Sequence, residues 1–243
     1  MEIDEHGWPS KCELPPLAAQ AERLIDLGVP GLLGTSSDAL RTQAAELTRT
    51  VECASVTQKT EGSVNALLVP TSVVCGHAAL MELIEREGKP GFVVEDFTDS
   101  IDFASSGTDL IHAEDMATGE LWYALVDPQR GDSFQNASPA EALQVLQQTG
   151  RSPLTILEGI FWLLQQPSQL EPGSCFMTIG SRKRKAGGGF DARTPALWIS
   201  SGTGRDGTES KNAAKLGWCW WNNRHTWLGI ANAAARVEAS SKS

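Results

Sequence analysis

Apolar residues recur along the first two thirds of the chain at the spacing of helices, and short apolar runs typical of strands separate them. Positions that are apolar every third or fourth residue predict helices over residues 17–27, 36–50 and 78–86. Runs rich in β-branched and aromatic residues predict strands over residues 64–69, 91–97 and 121–126. This part of the chain is therefore expected to contain both helices and strands.

The best-defined helix start lies at Ser138. Its hydroxyl can accept a hydrogen bond from the first turn, Pro139 suits the first helical position, and Glu141 completes a capping box. This helix is expected to end at Gly150. A second Ser-Pro pair, which begins at Ser152, predicts the start of another helix directly after it.

The last third of the sequence consists of short β-type runs, with no segment between them that is long enough for a helix. These runs, at residues 175–179, 196–200, 216–221 and 225–230, predict an antiparallel meander. The fold class that follows is α+β, with helices in the N-terminal two thirds packed on a mixed sheet and the meander at the C-terminus. We expect a flexible N-terminus over residues 1–16, a single domain over 17–236 and a disordered tail over 237–243.

Four of the eight tryptophans lie in the segment LGWCWWNNRHTWLG, residues 216–229. Trp218 and Trp220 alternate along a strand, so both are expected on one face of the sheet. The Asn-Asn pair that follows suits a hairpin turn, which would place Trp227 opposite them on the returning strand. Two interpretations stay open, because the rings can form the core between sheet and helices or the wall of a pocket for a small ligand.

The charge balance narrows the range of partners. A net charge of −10, from 30 acidic and 20 basic residues, argues against nucleic acid and anionic membranes. The four consecutive cations at residues 182–185 are interpreted as a solvated loop beside flexible glycines. The chain has no apolar run of about 18 residues, and its first residues are acidic where a secretory signal is basic and then apolar. We therefore expect a cytoplasmic protein.

Four side chains are candidates for acid–base catalysis, and they are Glu95, Asp96, Glu158 and His225. Glu158 lies at the border of the apolar face of its expected helix, where neighbouring aromatic rings would raise its pKa. His225 places an imidazole beside the tryptophans, and Glu95 and Asp96 end a predicted strand. A hairpin could also bring His225 close to the Cys219 thiol, although a cysteine in an apolar strand is usually inert.

The loop that precedes the capped helix holds polar groups at a position where ligand contacts are common. Candidate ligand-binding residues are therefore Arg130, Asp132 and Asn136 of this loop, together with Trp218, Trp220 and Trp227. The alternative for the loop is that Asp132 and Asn136 only satisfy its backbone.

No signature of a metal or cofactor site emerges from the motifs. Residues 202–207 spell GxGxxG after a predicted strand, but the helix that would face a pyrophosphate is missing, and no acid follows at the spacing that ribose binding needs. The cysteines and histidines do not assemble four ligands at any spacing typical of zinc. We expect neither a metal nor a cofactor.

Several motifs in order resemble a family of small actinobacterial proteins of unknown function. They are PGFVVEDFTD, RGD followed by SPAEAL, RSPLTILEGI, CFMTIGSRK, PALWIS and KLGWCWWNNRHTWLG. The resemblance covers about residues 24–235, nearly the whole chain. The resemblance implies a bacterial, cytosolic, single-domain protein and points to no catalytic residue. The chain departs from the family in Glu95, where an apolar residue is expected, and in a longer, glycine-rich loop at 200–215.

Two functions follow as expectations. The first is a cytosolic protein that binds a small molecule, extending to a cofactor-independent enzyme of bacterial specialised metabolism whose acid–base residues lie beside an aromatic pocket. The alternative is a non-enzymatic interaction or scaffold protein that uses exposed aromatic rings as a homodimer or partner face. The sequence does not decide between an enzyme and a binding protein.

Overall fold

The chain folds into helices and mixed β-sheets with the organisation of an α+β protein. The computed structural model describes residues 13–57, 64–94, 103–105, 121–185 and 187–239. The helices of these residues are α1 (Leu17–Asp26), α2 (Val29–Leu32), α3 (Ser37–Thr57), α4 (Gly76–Met81), α5 (Pro139–Gln148) and α6 (Ile156–Gln165). Short 3-10 helices lie at Asp132–Phe134, Pro167–Gln169, Gly204–Asp206 and Thr208–Ser210.

The strands form two larger sheets and three two-stranded pairs. They are β1 (Ala66–Pro70), β2 (Glu85–Arg86), β3 (Lys89–Pro90), β4 (Phe92–Val93), β5 (Phe103–Ser105), β6 (Trp122–Val126), β7 (Ser152–Pro153), β8 (Cys175–Met177), β9 (Ser181–Lys183), β10 (Arg193–Ile199), β11 (Ala214–Trp220), β12 (Leu228–Ile230), β13 (Asn232–Ala233) and β14 (Ala235–Glu238). The first sheet has the order β1-β6-β14 and the second has the order β12-β8-β10-β11-β4. The small pairs are β13-β7, β2-β3 and β5-β9.

Local capping signals position the two central helices. The capping box predicted at Ser138 is confirmed, because its hydroxyl accepts the Glu141 N–H and the Glu141 carboxylate accepts the Ser138 N–H. The helix start predicted at Ser152 is wrong. Residues 152–153 form β7, and α6 begins at Ile156 with a second capping box. In that box the Thr155 hydroxyl accepts from the Glu158 N–H at 3.3 Å.

Most of the other predicted helices and strands fall close to the observed ones, but α3 continues to Thr57, seven residues beyond its predicted end. Of the strand predicted over 91–97 the structure shows only β4, and residues 95–97 lie outside the described part of the chain. The helix predicted over 78–86 is shorter, because α4 ends at Met81 and a β-hairpin follows. The two residues of its turn, Glu87 and Gly88, both have positive φ, as a two-residue hairpin turn requires. Strand β14 extends to Glu238, two residues beyond the domain end expected from sequence.

The predicted Asn222–Asn223 hairpin does not form. Strand β11 pairs with β10 in antiparallel and with β4 in parallel orientation, whereas β12 pairs in parallel with β8. Trp227 therefore does not stand opposite Trp218 and Trp220. The antiparallel order predicted for the C-terminal third holds for β8, β10 and β11.

Helix α6 packs between the two sheets and is apolar on almost every side. Phe161 contacts Trp122 of β6 edge-on at 5.8 Å between ring centroids, and Trp162 contacts Phe176 of β8 at 5.6 Å. Gly159 lets α6 pack close to the five-stranded sheet, since a Cβ there would lie 2.6 Å from Thr178 Cγ2. The core is therefore continuous from one sheet to the other through α6.

Candidate functional site

Two of the candidate residues, Glu95 and Asp96, lie outside the described part of the chain, so their role stays a prediction. The remaining candidates lie in different parts of the structure. Glu158 belongs to a buried ionic network. The six ligand-binding candidates and His225 divide between the two faces of the five-stranded sheet and the loop beside it.

Glu158 is fully buried and accepts four hydrogen bonds. Its Oε1 accepts from the Tyr123 hydroxyl at 2.8 Å and from Arg236 Nε at 2.6 Å. Its Oε2 accepts from Arg236 Nη2 at 2.8 Å and from the Thr155 N–H at 2.7 Å. Arg236 completes the network by donating to the Ser152 hydroxyl at 2.6 Å. Both oxygens of the carboxylate are therefore satisfied within the protein.

The electrostatics of this network contradict the expected raised pKa of Glu158. Burial alone would raise its pKa, but the charge and hydrogen bonds of Arg236, together with those of Thr155 and Tyr123, lower it below the ordinary value. Burial, and then the charge of Glu158, raise the pKa of Tyr123. An ionised, fully paired carboxylate holds α6 against β6 and β14, and none of its partners is a predicted ligand-binding residue.

Trp218 and Trp220 lie together on one face of the five-stranded sheet, as their alternation predicts. Their ring centroids are 5.0 Å apart with the planes at 72°. The Arg193 guanidinium lies 5.6 Å from the Trp218 ring. Trp220 is 47% exposed, whereas most of the other tryptophans are buried or partly buried. This face thus presents an aromatic side chain to solvent.

The opposite face carries three partly exposed rings, which we call the aromatic row: Trp198, Trp227 and His225. Trp198 stands opposite Lys215 and Trp218 stands opposite Pro195, so the Trp198 and Trp218 side chains point to different faces. Trp198 meets Trp227 edge-on at 6.3 Å, and Trp227 meets His225 edge-on at 5.6 Å between ring centroids.

Glycine makes room for this row. A Cβ at Gly217 would overlap the Trp198 ring, so only glycine lets the indole approach β11 this closely. Trp198 is not among the residues predicted from sequence, although alternation in the PALWIS run separates it from the buried Leu197. The sequence pattern could therefore have predicted the face on which Trp198 lies, but not its contact with Gly217.

A cation borders the aromatic row. The Lys215 ammonium lies 4.9 Å from the Trp198 ring centroid and 5.9 Å from that of Phe92. It forms a salt bridge of 2.6 Å with Asp206, whose second oxygen accepts from the Ser200 hydroxyl at 2.8 Å. The glycine-rich loop at 200–215 is thereby fastened beside the row through Asp206.

The structure brings the polar loop around Arg130 next to His225, although the sequence separates them widely. The Asn136 N–H donates to the His225 carbonyl at 2.8 Å, and the Ile230 N–H donates to the Gly131 carbonyl at 3.2 Å. Gly131 has φ +74° and leaves no room for a Cβ against the Ile230 backbone. Two groups of predicted residues therefore meet at this end of the sheet.

Within the loop, Arg130 and Asp132 neutralise each other. Arg130 Nη2 lies 2.6 Å from Asp132 Oδ2, its Nε donates to both oxygens at 2.9 Å, and its Nη1 reaches Glu171 at 3.2 Å. Their charges hold the loop in place. Asn136, at φ +64°, is exposed and offers its side chain to solvent.

His225 is the residue of the aromatic row that has a buried ring nitrogen without a hydrogen-bond partner in the described part of the chain. Its Nε2 atom is buried and lacks a partner among the described residues, while the side chain as a whole is partly exposed. Burial lowers its pKa, so the imidazole is neutral at pH 7. Burial also raises the pKa of Cys219 to about 11, which leaves a protonated thiol and does not favour a Cys219–His225 dyad.

The described ranges also bear on metal, dinucleotide and membrane binding. These residues contain no group of three or more His, Cys, Asp or Glu side chains arranged to hold a metal ion. The GxGxxG stretch at 202–207 leads into 3-10 turns rather than into the N-terminus of an α-helix. No described helix combines the length and apolar character that a membrane crossing requires.

The chain belongs to DUF5701, a family of unknown function, whose model matches residues 23–239. Comparison with curated proteins and with solved structures found no match.

Proposed function

We propose that this DUF5701 member binds a small planar molecule against the aromatic row. The ligand class is an aromatic ring that carries a hydroxyl or N–H group, such as a phenol or an indole. A flat ligand ring can pack against Trp198 and Trp227, because the protein covers the indole rings of these two residues only in part. A single polar group then fixes the orientation of the ligand, as is usual in small-molecule sites.

The observation that carries the proposal is the unpartnered Nε2 of His225. Leaving a buried ring nitrogen without a hydrogen bond costs about 1–3 kcal/mol. A ligand hydroxyl or N–H recovers that free energy when it pairs with the nitrogen. The imidazole as a whole is partly exposed and lies edge-on to Trp227, so a ring bound on the aromatic row is next to it.

Catalysis is a natural extension of this binding role. A neutral imidazole with a lowered pKa can accept a proton from a bound hydroxyl near pH 7. The Lys215–Asp206 pair at the other end of the row supplies a fixed dipole along the bound ring. We place the protein in the bacterial cytoplasm, acting in specialised metabolism. Reduced Cys175 and Cys219, which form no disulfide, are consistent with that compartment.

Calorimetric titration with phenol and with indole as probes tests the proposal. His225→Ala should weaken binding of either probe at least about tenfold, which corresponds to losing about 1.4 kcal/mol. Trp220→Ala is the matched control, because Trp220 lies on the opposite face and is half exposed. Equal affinities for the wild type and His225→Ala would reject the placement of the ligand.

A second function is favoured by the exposure of Trp220. An exposed indole that packs on Trp218 next to the Arg193 guanidinium has the composition of an interface hot spot. The partner is a second copy of the chain or another protein. Sedimentation velocity over a range of concentrations should then show self-association that Trp220→Ser abolishes, whereas a monomer at all concentrations removes the homodimer.

A further inference from the structure

The first half of the basic run at residues 182–185 belongs to strand β9, and Arg182 is buried there, which differs from the solvated loop expected from sequence. Arg184 and Lys185 are exposed, as that expectation requires. Arg182 lies in β9, Arg184 bridges to Phe190, and the Asp191 N–H donates to the Lys183 carbonyl at 2.8 Å. The Lys185 N–H donates to the Gly189 carbonyl at 3.0 Å and closes the glycine-rich tip. Backbone pairing therefore gives each of these cations a fixed face.

Alternation along the strand puts Arg182 and Arg184 on one face, with Lys183 and Lys185 on the other. The Arg182 and Arg184 guanidinium carbons lie 5.2 Å and 5.3 Å from the Phe190 ring centroid. The Arg182 guanidinium carbon also lies 3.7 Å from the Trp221 ring centroid. We call these four residues, Arg182, Arg184, Phe190 and Trp221, the arginine clamp.

Arg182 is buried without a carboxylate of its own. Its residue is 6% exposed, and Nη2 donates to the Asp191 carbonyl at 2.7 Å. Its Nε is buried and has no hydrogen-bond partner among the described residues. The Asp191 carboxylate is engaged by Arg193 at 3.0 and 3.1 Å. Within the described chain, no carboxylate forms an ion pair with Arg182.

We propose that the arginine clamp binds the oxyanion group, a phosphate or a carboxylate, of a small metabolite. A guanidinium that packs on aromatic rings can still donate from its in-plane N–H groups, and their fork matches an oxyanion. Arg184 adds a second positive charge on the same face. The burial that makes an uncompensated cation costly also makes its attraction for an arriving anion strong.

The charge of Arg182 persists under ordinary conditions. Burial lowers its pKa to about 10, which leaves the guanidinium protonated at pH 7. The clamp is separate from the aromatic row. The Trp221 N–H donates to Ala192, and Trp198 lies six residues further along β10, roughly 20 Å away at the rise of a strand. The two sites share no residue, so each is tested by its own variants.

Nitrogen-edited NMR of the arginine Nε–Hε groups tests the clamp in the intact wild-type protein. The Arg182 signal, assigned by its loss in Arg182→Lys and by its proximity to the Trp221 ring, is followed during titration with inorganic phosphate and with acetate. Chloride holds the ionic strength constant. The expected result is a saturable shift of this signal by at least one of the two oxyanions. The stronger response shows whether the ligand is a phosphate or a carboxylate.

Matched variants then assign the binding to the clamp. Arg182→Met should raise the dissociation constant at least about tenfold and Arg184→Met about threefold, because each removes a cation from the binding face. Lys185→Met removes the same charge from the other face of the same hairpin and should change the constant less than about twofold. If Arg182→Met fails to fold, the test rests on two other results. These are the shift of the wild-type Arg182 signal and the difference between the dissociation constants of Arg184→Met and Lys185→Met.

Four outcomes would overturn the proposal. In the first, the Arg182 signal does not move with either oxyanion, and in the second it moves equally with chloride. In the third, Lys185→Met weakens binding as much as Arg184→Met does, which would show unspecific attraction. In the fourth, the signal moves without added anion when Asp96, Asp99 or Asp102 is changed to asparagine, which would show that the chain's own acids occupy the clamp.

Discussion

Replacing Arg236 by methionine should destabilise the folded protein by about 3–5 kcal/mol, because it leaves the Glu158 carboxylate buried without a counter-charge. The substitution removes both hydrogen bonds from Arg236 to Glu158, at 2.6 and 2.8 Å, and the bond to the Ser152 hydroxyl. Tyr123 and the Thr155 N–H remain, and they satisfy only part of the carboxylate. The expected loss is a large fraction of the stability of a typical domain.

The pH dependence of this loss has a definite sign. In the wild type the pKa of Glu158 is lowered from its ordinary value of 4.5, so its contribution to stability is present above that value and is lost as pH falls through the lowered pKa. Without Arg236, burial dominates and raises the pKa instead. The destabilisation by Arg236→Met should therefore be full at pH 8 and shrink as pH falls towards about 4.5, because the folded variant then binds a proton.

Urea unfolding followed by circular dichroism at pH 8, 7, 6 and 5 measures this effect. Glu158→Gln combined with Arg236→Met should be more stable than Arg236→Met alone, since the double variant has no buried charge. Arg41→Met, which breaks the exposed pair with Glu22, should leave the unfolding midpoint nearly unchanged. A loss below about 1 kcal/mol, or one that does not vary with pH, would refute the reasoning.

Three further variants probe packing, capping and thiol reactivity. Gly159→Ala should cost about 1–3 kcal/mol in urea unfolding, because its Cβ would lie 2.6 Å from Thr178 Cγ2 and 2.7 Å from Leu197 Cδ1; an unchanged midpoint would contradict the close packing. Thr155→Ala should lose about 1 kcal/mol with the capping hydroxyl, whereas Thr155→Ser should lose much less. At pH 8, Cys219 should react with iodoacetamide at least about tenfold more slowly than a free thiol, because burial raises its pKa to about 11; mass spectrometry of the peptide measures this rate.

Local signals predicted the helices well where a cap and an apolar stripe agree. Both capping boxes are legible in the sequence, since Thr155 stands three residues before Glu158 just as Ser138 stands before Glu141. The Ser-Pro pair at 152–153 nevertheless looked like the helix start. Its pairing with β13 decides against a helix, and that contact is invisible in local sequence.

Strand alternation predicted the shared face of Trp218 and Trp220 but not the partners of their strand. Pairing of β12 with β8 brings residues far apart in sequence together, and no turn signal specifies such a parallel contact. Asn222 and Asn223 are residue types that suit a hairpin turn, but β11 and β12 do not pair with each other. The aromatic row could therefore not be assembled from sequence, although His225 and Trp227 were selected.

Charges were the hardest feature to predict, because their partners are remote. Aromatic neighbours suggested a raised pKa for Glu158, but Arg236 lies 78 residues away and reverses the direction. The cations at 182–185 have the composition of a solvated loop. Only Arg182 of these cations is buried, against Trp221 and Phe190, and only the folded sheet brings those two rings to it.

Native mass spectrometry of the protein isolated from its own host tests the central claim most directly. The wild type and Trp220→Ala should retain the same small mass, and His225→Ala should lose it, because the ligand pairs with the His225 ring beside Trp227. A wild-type spectrum with only the bare chain mass, or with twice that mass and nothing bound, would contradict a ligand site on the aromatic row.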